Sequence, residues 1–97
     1  MIKLFVNKSK IHGKGLFTNV PIEKGRKITM IGNLTNGLNW VTPQCGLINH
    51  SEHSNVNCKK EGPKYFIHAS REIMPGEEIT LNYKTLPPVY NRNTNFN

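Results

Sequence analysis

Residues 46–51 read Gly-Leu-Ile-Asn-His-Ser, and residues 76–83 read Gly-Glu-Glu-Ile-Thr-Leu-Asn-Tyr. Each stretch places polar side chains where a strand pattern predicts apolar ones, and Asn55 adds a further amide shortly after the first stretch. A small domain seldom buries an amide, an imidazole or a phenol without hydrogen-bond partners. The joint presence of the two stretches therefore predicts a functional site.

The size of the chain limits what else it can contain. Its 97 residues, 36% of them hydrophobic, fit one domain with a small core and a large wet surface. No window is long and apolar enough for a membrane-spanning helix, so we expect no membrane partner. The apolar N-terminus is interrupted by Lys3, which argues against a signal peptide and favours a first strand.

The charge is strongly basic, with 13 Lys and Arg residues against six Asp and Glu and a net charge of +7. This balance favours an acidic or polyanionic partner, but the basic residues are scattered and fit an ordinary soluble surface equally well. Cys45 and Cys58 lack the spaced partners of a zinc site. We interpret them as buried free thiols in a reducing, intracellular compartment.

The pattern along the chain predicts a mainly β fold with little helix, since Gly, Pro and Asn separate short apolar runs every roughly eight to twelve residues. Residues 59–63 read as a hairpin loop, and Pro21–Gly25 and Ile73–Gly76 read as two similar corners. The predicted strands lie near residues 2–6, 15–18, 27–31, 55–58, 64–69 and 79–82. We divide the single domain into an N-terminal part (1–31), an insert loop anchored by Trp40 (32–46), a C-terminal part (47–84) and a tail (85–97).

Taken singly, the candidate site residues each have an ordinary structural explanation. Gly13-Lys14-Gly15 would let a backbone approach a ligand closely, or it is a plain tight turn. Asn49 and His50 can hold a polar ligand, or they form a turn with a satisfied core histidine. The histidines have no metal-ligand spacing, so we assign no metal.

The second stretch is equally open when it is taken alone. The strand register places Ile79, Leu81 and Tyr83 on one face, which fits a core tyrosine with a wet hydroxyl. Glu78 reads as a structural carboxylate that fixes backbone amides, because no second carboxylate is placed for paired acid and base chemistry.

In their order along the chain, these segments resemble the SET domain of protein lysine methyltransferases, in particular the short viral and bacterial members. Residues 6–17, with Gly13-Lys14-Gly15, resemble the N-terminal strand-turn-strand of that family, and residues 22–25 its following corner. Residues 46–55 resemble the motif RFINHSxxPN, and residues 66–83 resemble the strand that leads into the motif GEELxxDY.

The resemblance implies a fold of several small β-sheets in which the two motifs meet in a pseudoknot-like arrangement. It implies Tyr83 as the catalytic residue and a lysine channel closed by Tyr83, Tyr90 and Phe96. It also implies S-adenosylmethionine as cofactor, held by His12, Gly13, Lys14, Gly15, Leu47, Asn49, His50 and Tyr83.

The partner implied by the resemblance is a protein with a substrate lysine, such as a histone-like tail, which would place the chain in the nucleus. Methyl transfer from a sulfonium to an amine is a direct displacement that needs alignment more than a nucleophilic side chain. The lysine must be neutral, and desolvation and the neighbouring sulfonium both lower its pKa. A strong catalytic base is therefore not required.

The chain departs from the family pattern in ways that keep two alternatives open. Gly46-Leu47 stands for Arg-Phe, Ser54 for proline and Asn82 for aspartate, and the 15-residue insert 32–46 is too short for the usual helical region. Pairing of two chains would complete the groove. The alternatives are a SET-like cofactor- or peptide-binding module with weak catalysis, and a basic β-domain that binds nucleic acid.

Overall fold

The computed structural model describes residues 2–35 and 38–85, with the backbone only for residues 34, 35 and 38–41. Two 3₁₀ helices span Cys45–Leu47 and Tyr83–Thr85. No helix in the described part of the chain is long and apolar enough to cross a membrane. The strands are β1 (Leu4–Lys8), β2 (Lys14–Thr18), β3 (Lys27–Thr35), β4 (Leu38–Val41), β5 (Asn49–His50), β6 (Val56–Glu61), β7 (Lys64–Ala69) and β8 (Glu78–Leu81).

The prediction of a mainly β fold with little helix is confirmed, and all six predicted strands are present, β7 with the predicted bounds and the other five with shifted ends. The first strand runs over Leu4–Lys8 instead of 2–6 because it pairs antiparallel with β2, with Leu4 opposite Thr18 and Lys8 opposite Lys14. The short connection includes Gly13 at φ +48°, a left-handed conformation that suits glycine.

The predicted insert loop is partly wrong, because residues 32–46 contain a hairpin. β3 continues to Thr35 and pairs with β4, from Gly32 opposite Val41 to Thr35 opposite Leu38. β4 lies at one end of the strand order, where pairing with a single neighbour tolerates Asn39, one of the residues that indicated a loop. The proposed anchor, the Trp40 side chain, lies outside what the structure describes.

The predicted hairpin loop 59–63 is also too long. β6 continues to Glu61, and β7 begins at Lys64, so that only Gly62 and Pro63 form the turn. Gly62 has φ +61°. The polar residues of β6 that read as loop belong to a strand whose far end has no second neighbour and faces solvent.

The strands form one curled path in the order β1-β2-β8-β6-β7-β3-β4, with β5 beside β8. β8 joins the two parts of the sheet: its first residues pair with β2, while Leu81 pairs in parallel with both His50 and Val56. A residue that pairs with two strands has them on opposite sides. β8 therefore lies between two parts of the single stretch 49–56, which is the pseudoknot-like arrangement that the family resemblance implies.

The two similar corners predicted from the sequence meet in space. Ile22 and Ile73 exchange both backbone hydrogen bonds, at 2.8 and 2.9 Å, and both side chains are completely buried. Burial of each such side chain contributes about 2 kcal/mol. The core that they join is completed by Leu16, Ile31, Cys45, Ile48, Val56, Tyr65, Ile67, Ala69, Ile79 and Leu81.

Both cysteines are free, with Cys45 buried and Cys58 half-buried against the core. Burial raises the pKa of each thiol to about 11, and the neighbouring Cys58 adds to the rise for Cys45. Both thiols are therefore protonated at neutral pH and are poor nucleophiles.

Candidate active site

Tyr83 does not continue β8, so the predicted alternation of Ile79, Leu81 and Tyr83 is wrong. β8 ends at Leu81, and Tyr83 opens a 3₁₀ helix. Ile79, Thr80 and Leu81 are all buried because β8 is covered on both faces, so no polar face exists for an alternating pattern. The half-buried tyrosine side chain lies at the point where the chain leaves the sheet.

Two hydrogen bonds connect Tyr83 to the Asn-His-Ser stretch. Its hydroxyl donates to the Ile48 carbonyl oxygen at 2.5 Å, and its backbone N–H donates to His50 Nδ1 at 3.0 Å. The two rings are in contact, with centroids 5.0 Å apart. Because Nδ1 accepts, the neutral imidazole carries its proton on Nε2. Two of the predicted site residues, His50 and Tyr83, are thus brought together.

The phenol of Tyr83 is kept protonated. Burial raises its pKa, and the nearby Cys45 and Glu78 raise it further because negative charge on either group disfavours a tyrosinate. At neutral pH the hydroxyl is therefore a hydrogen-bond donor.

Asn49 connects β5 to the turn between β1 and β2. The residue is buried, and its Nδ2 lies 3.1 Å from the His12 carbonyl oxygen, 3.2 Å from that of Lys14 and 2.7 Å from Glu78 Oε2. These partners are all acceptors, which fixes Nδ2 on this side of the amide. The predicted residues His12, Lys14 and Asn49 therefore lie within a few ångströms of each other.

Ser9, which is not among the site residues predicted from the sequence, also contacts Glu78 and Asn49. Its hydroxyl donates to Glu78 Oε1 at 2.7 Å and accepts from the N–H groups of Ile11 and His12 at 2.9 and 3.2 Å. The Ser9 N–H bonds to the Gly13 carbonyl at 2.9 Å. A serine just before a turn that ends in glycine often forms such local bonds, and this signal could have identified it.

The two glycines of the turn have different surroundings. A Cβ on Gly15 would lie 2.7 Å from the carboxyl carbon of Glu78, whereas a Cβ on Gly13 would meet nothing within 4 Å. A side chain at position 15 would therefore have to displace the Glu78 carboxyl, and of the two glycines only Gly13 borders open space. Glu78 is a structural carboxylate as predicted, but its donors are the side chains of Ser9 and Asn49 instead of backbone amides.

A surface hollow of about 590 Å³ opens beside this turn, lined by Val6, Asn7, Lys8, Gly13 and Lys14. A smaller one of about 290 Å³ lies near Lys10, Ile11, Phe17 and Glu78. The larger hollow has the volume of a small-molecule site. Lys8 and Lys14, which form no ion pair with a described residue, favour a ligand with an anionic group.

The remaining predicted site residues are less closely connected. Leu47 ends the first 3₁₀ helix and packs, half-buried, against the core beside Asn49. Tyr90 and Phe96, proposed to close a lysine channel with Tyr83, lie outside the described residues. Among residues 2–35 and 38–85, no three His, Cys, Asp or Glu side chains are grouped as metal ligands would be.

Comparison with known proteins gives a family match and two similar structures. The SET domain family model matches residues 29–84, which include the Asn-His-Ser and Glu-to-Tyr stretches and begin after the Gly13 turn. Apo ctPRC2, carrying two mutations in Ezh2, has a TM-score of 0.72 at 20% identity over 93% of this chain and 16% of that chain.

The methyltransferase domain of human histone-lysine N-methyltransferase SETMAR gives a TM-score of 0.69 at 21% identity, over 99% of this chain and 47% of that chain. At these identities the likeness shows the fold. The present chain spans less than half the length of either structure. No curated protein matches the sequence.

Proposed function

This chain belongs to the SET-domain family of protein lysine methyltransferases, and on that premise we propose that it is an S-adenosylmethionine-dependent protein-lysine N-methyltransferase. One observation carries the proposal: Tyr83 is fixed to Ile48 and His50 by two hydrogen bonds, with its hydroxyl protonated and only half-buried. A tyrosine held in this way presents one hydroxyl in a constant position, as a residue that orients a substrate amine must.

The residues around the turn fit S-adenosylmethionine. The open space at Gly13 and the 590 Å³ hollow give the ligand room, and the ammonium groups of Lys8 and Lys14 suit its carboxylate. His12, Gly15, Leu47, Asn49, His50 and Tyr83 complete the proposed binding set. When bound, this cofactor supplies a methyl group on a positively charged sulfur.

The protein's own contribution is alignment and exclusion of water. Tyr83, with Tyr90 and Phe96, would surround the substrate lysine, and removal of water lowers the lysine pKa so that the amine is neutral. The hydroxyl of Tyr83 and the main-chain carbonyl of Ile48 would then orient the amine nitrogen toward the methyl group. No side chain has to act as a strong base.

The proposed substrate is a lysine in a basic protein tail, such as a histone. A homodimer would complete a peptide groove that the short hairpin of β3 and β4 leaves small. Light scattering on the purified chain reports whether it pairs.

The direct test is calorimetric titration of the chain with S-adenosylmethionine, followed by a methyl-transfer assay on a peptide array that includes histone tails. We expect binding and transfer, with Tyr83→Phe keeping the binding and losing most of the transfer. Absence of both binding and transfer would contradict the proposal. Binding without transfer to any peptide would favour the alternative of a SET-like binding module.

One further observation favours a second function, nucleic-acid binding. Phe66 lies on the outer face of β7, with Lys59 directly opposite on β6 and Lys27 Nζ 4.4 Å from its ring centroid. An aromatic ring among lysines on an open sheet face can stack with a base while the ammonium groups contact phosphates. Affinity for a single strand that falls steeply with salt would support this function, and the absence of such binding would exclude it.

A further inference from the structure

We propose that Ser9 and Glu78 are positioning residues that set the direction of the Asn49 amide toward the methyl donor. The inference rests on the proposed function, because it concerns how the chain prepares its cofactor turn. The three side chains, which we call the Ser9 cluster, come from the turn after β1, from β5 and from β8.

In the Ser9 cluster, the donor and the acceptor of each hydrogen bond to Glu78 can be assigned in only one way. An ionised carboxylate only accepts hydrogen bonds, so Ser9 Oγ and Asn49 Nδ2, each 2.7 Å from a Glu78 oxygen, must both be donors. The single hydroxyl hydrogen of Ser9 points to Glu78, so the lone pairs of Oγ face the N–H groups of Ile11 and His12 and Asn49 Nδ2. Glu78 thereby determines the orientation of the other two members.

The consequence appears on the far side of Asn49. The two hydrogens of Nδ2 face only acceptors, with the Glu78 carboxylate at the shortest distance, so Oδ1 must point away from the turn. In the described part of the chain no group donates to Oδ1, and the one buried side-chain polar atom without a partner is His68 Nδ1. Asn49 Oδ1 is therefore an accessible acceptor with a fixed direction, which suits the ammonium group of an amino-acid ligand.

The packing of the cluster leaves little freedom for another arrangement. The Glu78 carboxyl lies against Gly15, where any Cβ would displace it. The negative charge of Glu78 is also close enough to raise the pKa of Tyr83. One carboxylate thus borders the turn, the Asn49 amide and the tyrosine, and its charge favours a cationic ligand at all three.

The test uses four variants of the full chain and calorimetric titration with S-adenosylmethionine. Ser9→Ala removes the hydroxyl, Ser9→Thr retains it, and Glu78→Gln keeps the shape while its amide nitrogen competes with Asn49 for the donor role. Glu77→Gln makes the same change one residue away, on a carboxylate that contacts Arg71 and the Met74 N–H. Thermal unfolding of each variant is measured in parallel.

We expect Ser9→Ala and Glu78→Gln to weaken binding of the donor by about tenfold, the effect of one misdirected hydrogen bond to a buried group. Ser9→Thr and Glu77→Gln should bind as the unchanged chain does. If Ser9→Ala does not fold, Glu78→Gln carries the test by itself.

Normal donor affinity in Glu78→Gln, or in a folded Ser9→Ala, would overturn the positioning role, even if the unfolding temperature had fallen. A wild-type chain that gives no binding heat would instead overturn the proposed function and this inference with it. The two failures are therefore distinguishable.

Discussion

Two regions of this molecule are stabilised in different ways. The hairpin sheet, formed by β3, β4, β6 and β7, is held by antiparallel ladders of backbone hydrogen bonds. The crossing region, formed by residues 48–56 and 78–83, has short parallel pairings that involve Asn49 and His50 of β5 and Val56 of β6. Most of its remaining bonds come from polar side chains. Where β8 passes between β5 and β6, hydrogen bonds from side chains take the place of a ladder of backbone hydrogen bonds.

Asn55 is the clearest case of replacement. Its Oδ1 accepts from the Thr80 N–H at 2.9 Å, and its Nδ2 donates to the Glu78 carbonyl at 2.8 Å. The residue is 2% exposed. One amide side chain thus makes hydrogen bonds with a backbone N–H and a backbone carbonyl of β8, as a neighbouring strand does in a regular sheet.

The strongest test of the comparison is Asn55→Ala. Removal of the amide leaves a buried N–H and a buried carbonyl without partners, so we expect a loss of about 3 kcal/mol in the free energy of unfolding. Urea denaturation measures it. The matched control is Asn57→Ala, at an exposed position of β6 in the hairpin sheet, where we expect about 0.5 kcal/mol or less. Similar losses at the two positions would remove the distinction between the regions.

Gly15→Ala tests how tightly the crossing region is packed. The added methyl group would overlap the Glu78 carboxyl, which two hydrogen bonds hold in place. We expect a loss of about 2 kcal/mol, typical of overpacking. Gly46→Ala is the control, because a Cβ there meets nothing within 4 Å. A Gly15→Ala variant as stable as the control would show that Glu78 is free to move.

His50 tests whether a side chain can replace a backbone acceptor. In His50→Ala the Tyr83 N–H loses its acceptor, which should cost about 1 kcal/mol in unfolding free energy. His50→Asn places an amide oxygen near the former Nδ1 and should recover most of that loss. Urea denaturation of His50→Ala measures the loss, and the same measurement on His50→Asn shows how much of it is recovered. Equal stability of the Ala and Asn variants would mean that this hydrogen bond contributes nothing.

The same difference explains what the sequence could predict. In the hairpin sheet, alternating residues and turn residues predicted β7 with its observed bounds and β3 and β6 with shifted ends. Both signals lie within a few consecutive residues and can therefore be seen in the sequence. The two Ile-containing corners were recognised as similar, but nothing in a single corner indicates that Ile22 pairs with Ile73. β4 was missed because its pairing with β3 outweighs the weak strand propensity of Asn39 in β4 and of Gly32 and Asn33 in β3.

At the site, the sequence predicted which polar residues were unusual, and could not predict their partners. Asn49, His50 and Tyr83 were identified as candidates, and the family resemblance implied that their two stretches meet. Ser9 and Glu78 are 69 residues apart, and the hydrogen bond between them depends on the path of β8 between β5 and β6. Such pairs follow from topology, which composition and spacing do not specify. The role of Gly15 was missed for the same reason.

The smallest expected effects on the free energy of unfolding come from exposed ion pairs, because neither region depends on surface charges for its stability. Lys27 and Glu61 form an ion pair at 2.8 Å across the hairpin sheet, and both side chains are about half exposed. Exposed pairs contribute little because solvent screens them and two long side chains must be ordered. For Glu61→Gln we therefore expect a change in unfolding free energy of about 0.5 kcal/mol or less, together with reduced dependence of stability on salt. A larger loss would place part of the stability of the hairpin sheet in charge.

Glu77 gives the corresponding test beside the crossing region, through pH. The hydrogen bond from the Met74 N–H lowers the pKa of the Glu77 carboxyl, burial opposes that effect, and the hydrogen bond and charge of Arg71 lower the pKa further. A carboxyl whose folded pKa lies below its unfolded value stabilises the fold above the unfolded pKa, near 4.3, and loses that contribution as pH falls through the folded pKa. The difference in stability between the unchanged chain and Glu77→Gln should therefore be constant at neutral pH and shrink below about pH 4. Because the carboxylate is 35% exposed, the difference should stay below about 0.5 kcal/mol. Urea denaturation at a series of pH values measures it, and a difference that grew in acid would reverse the assigned sign.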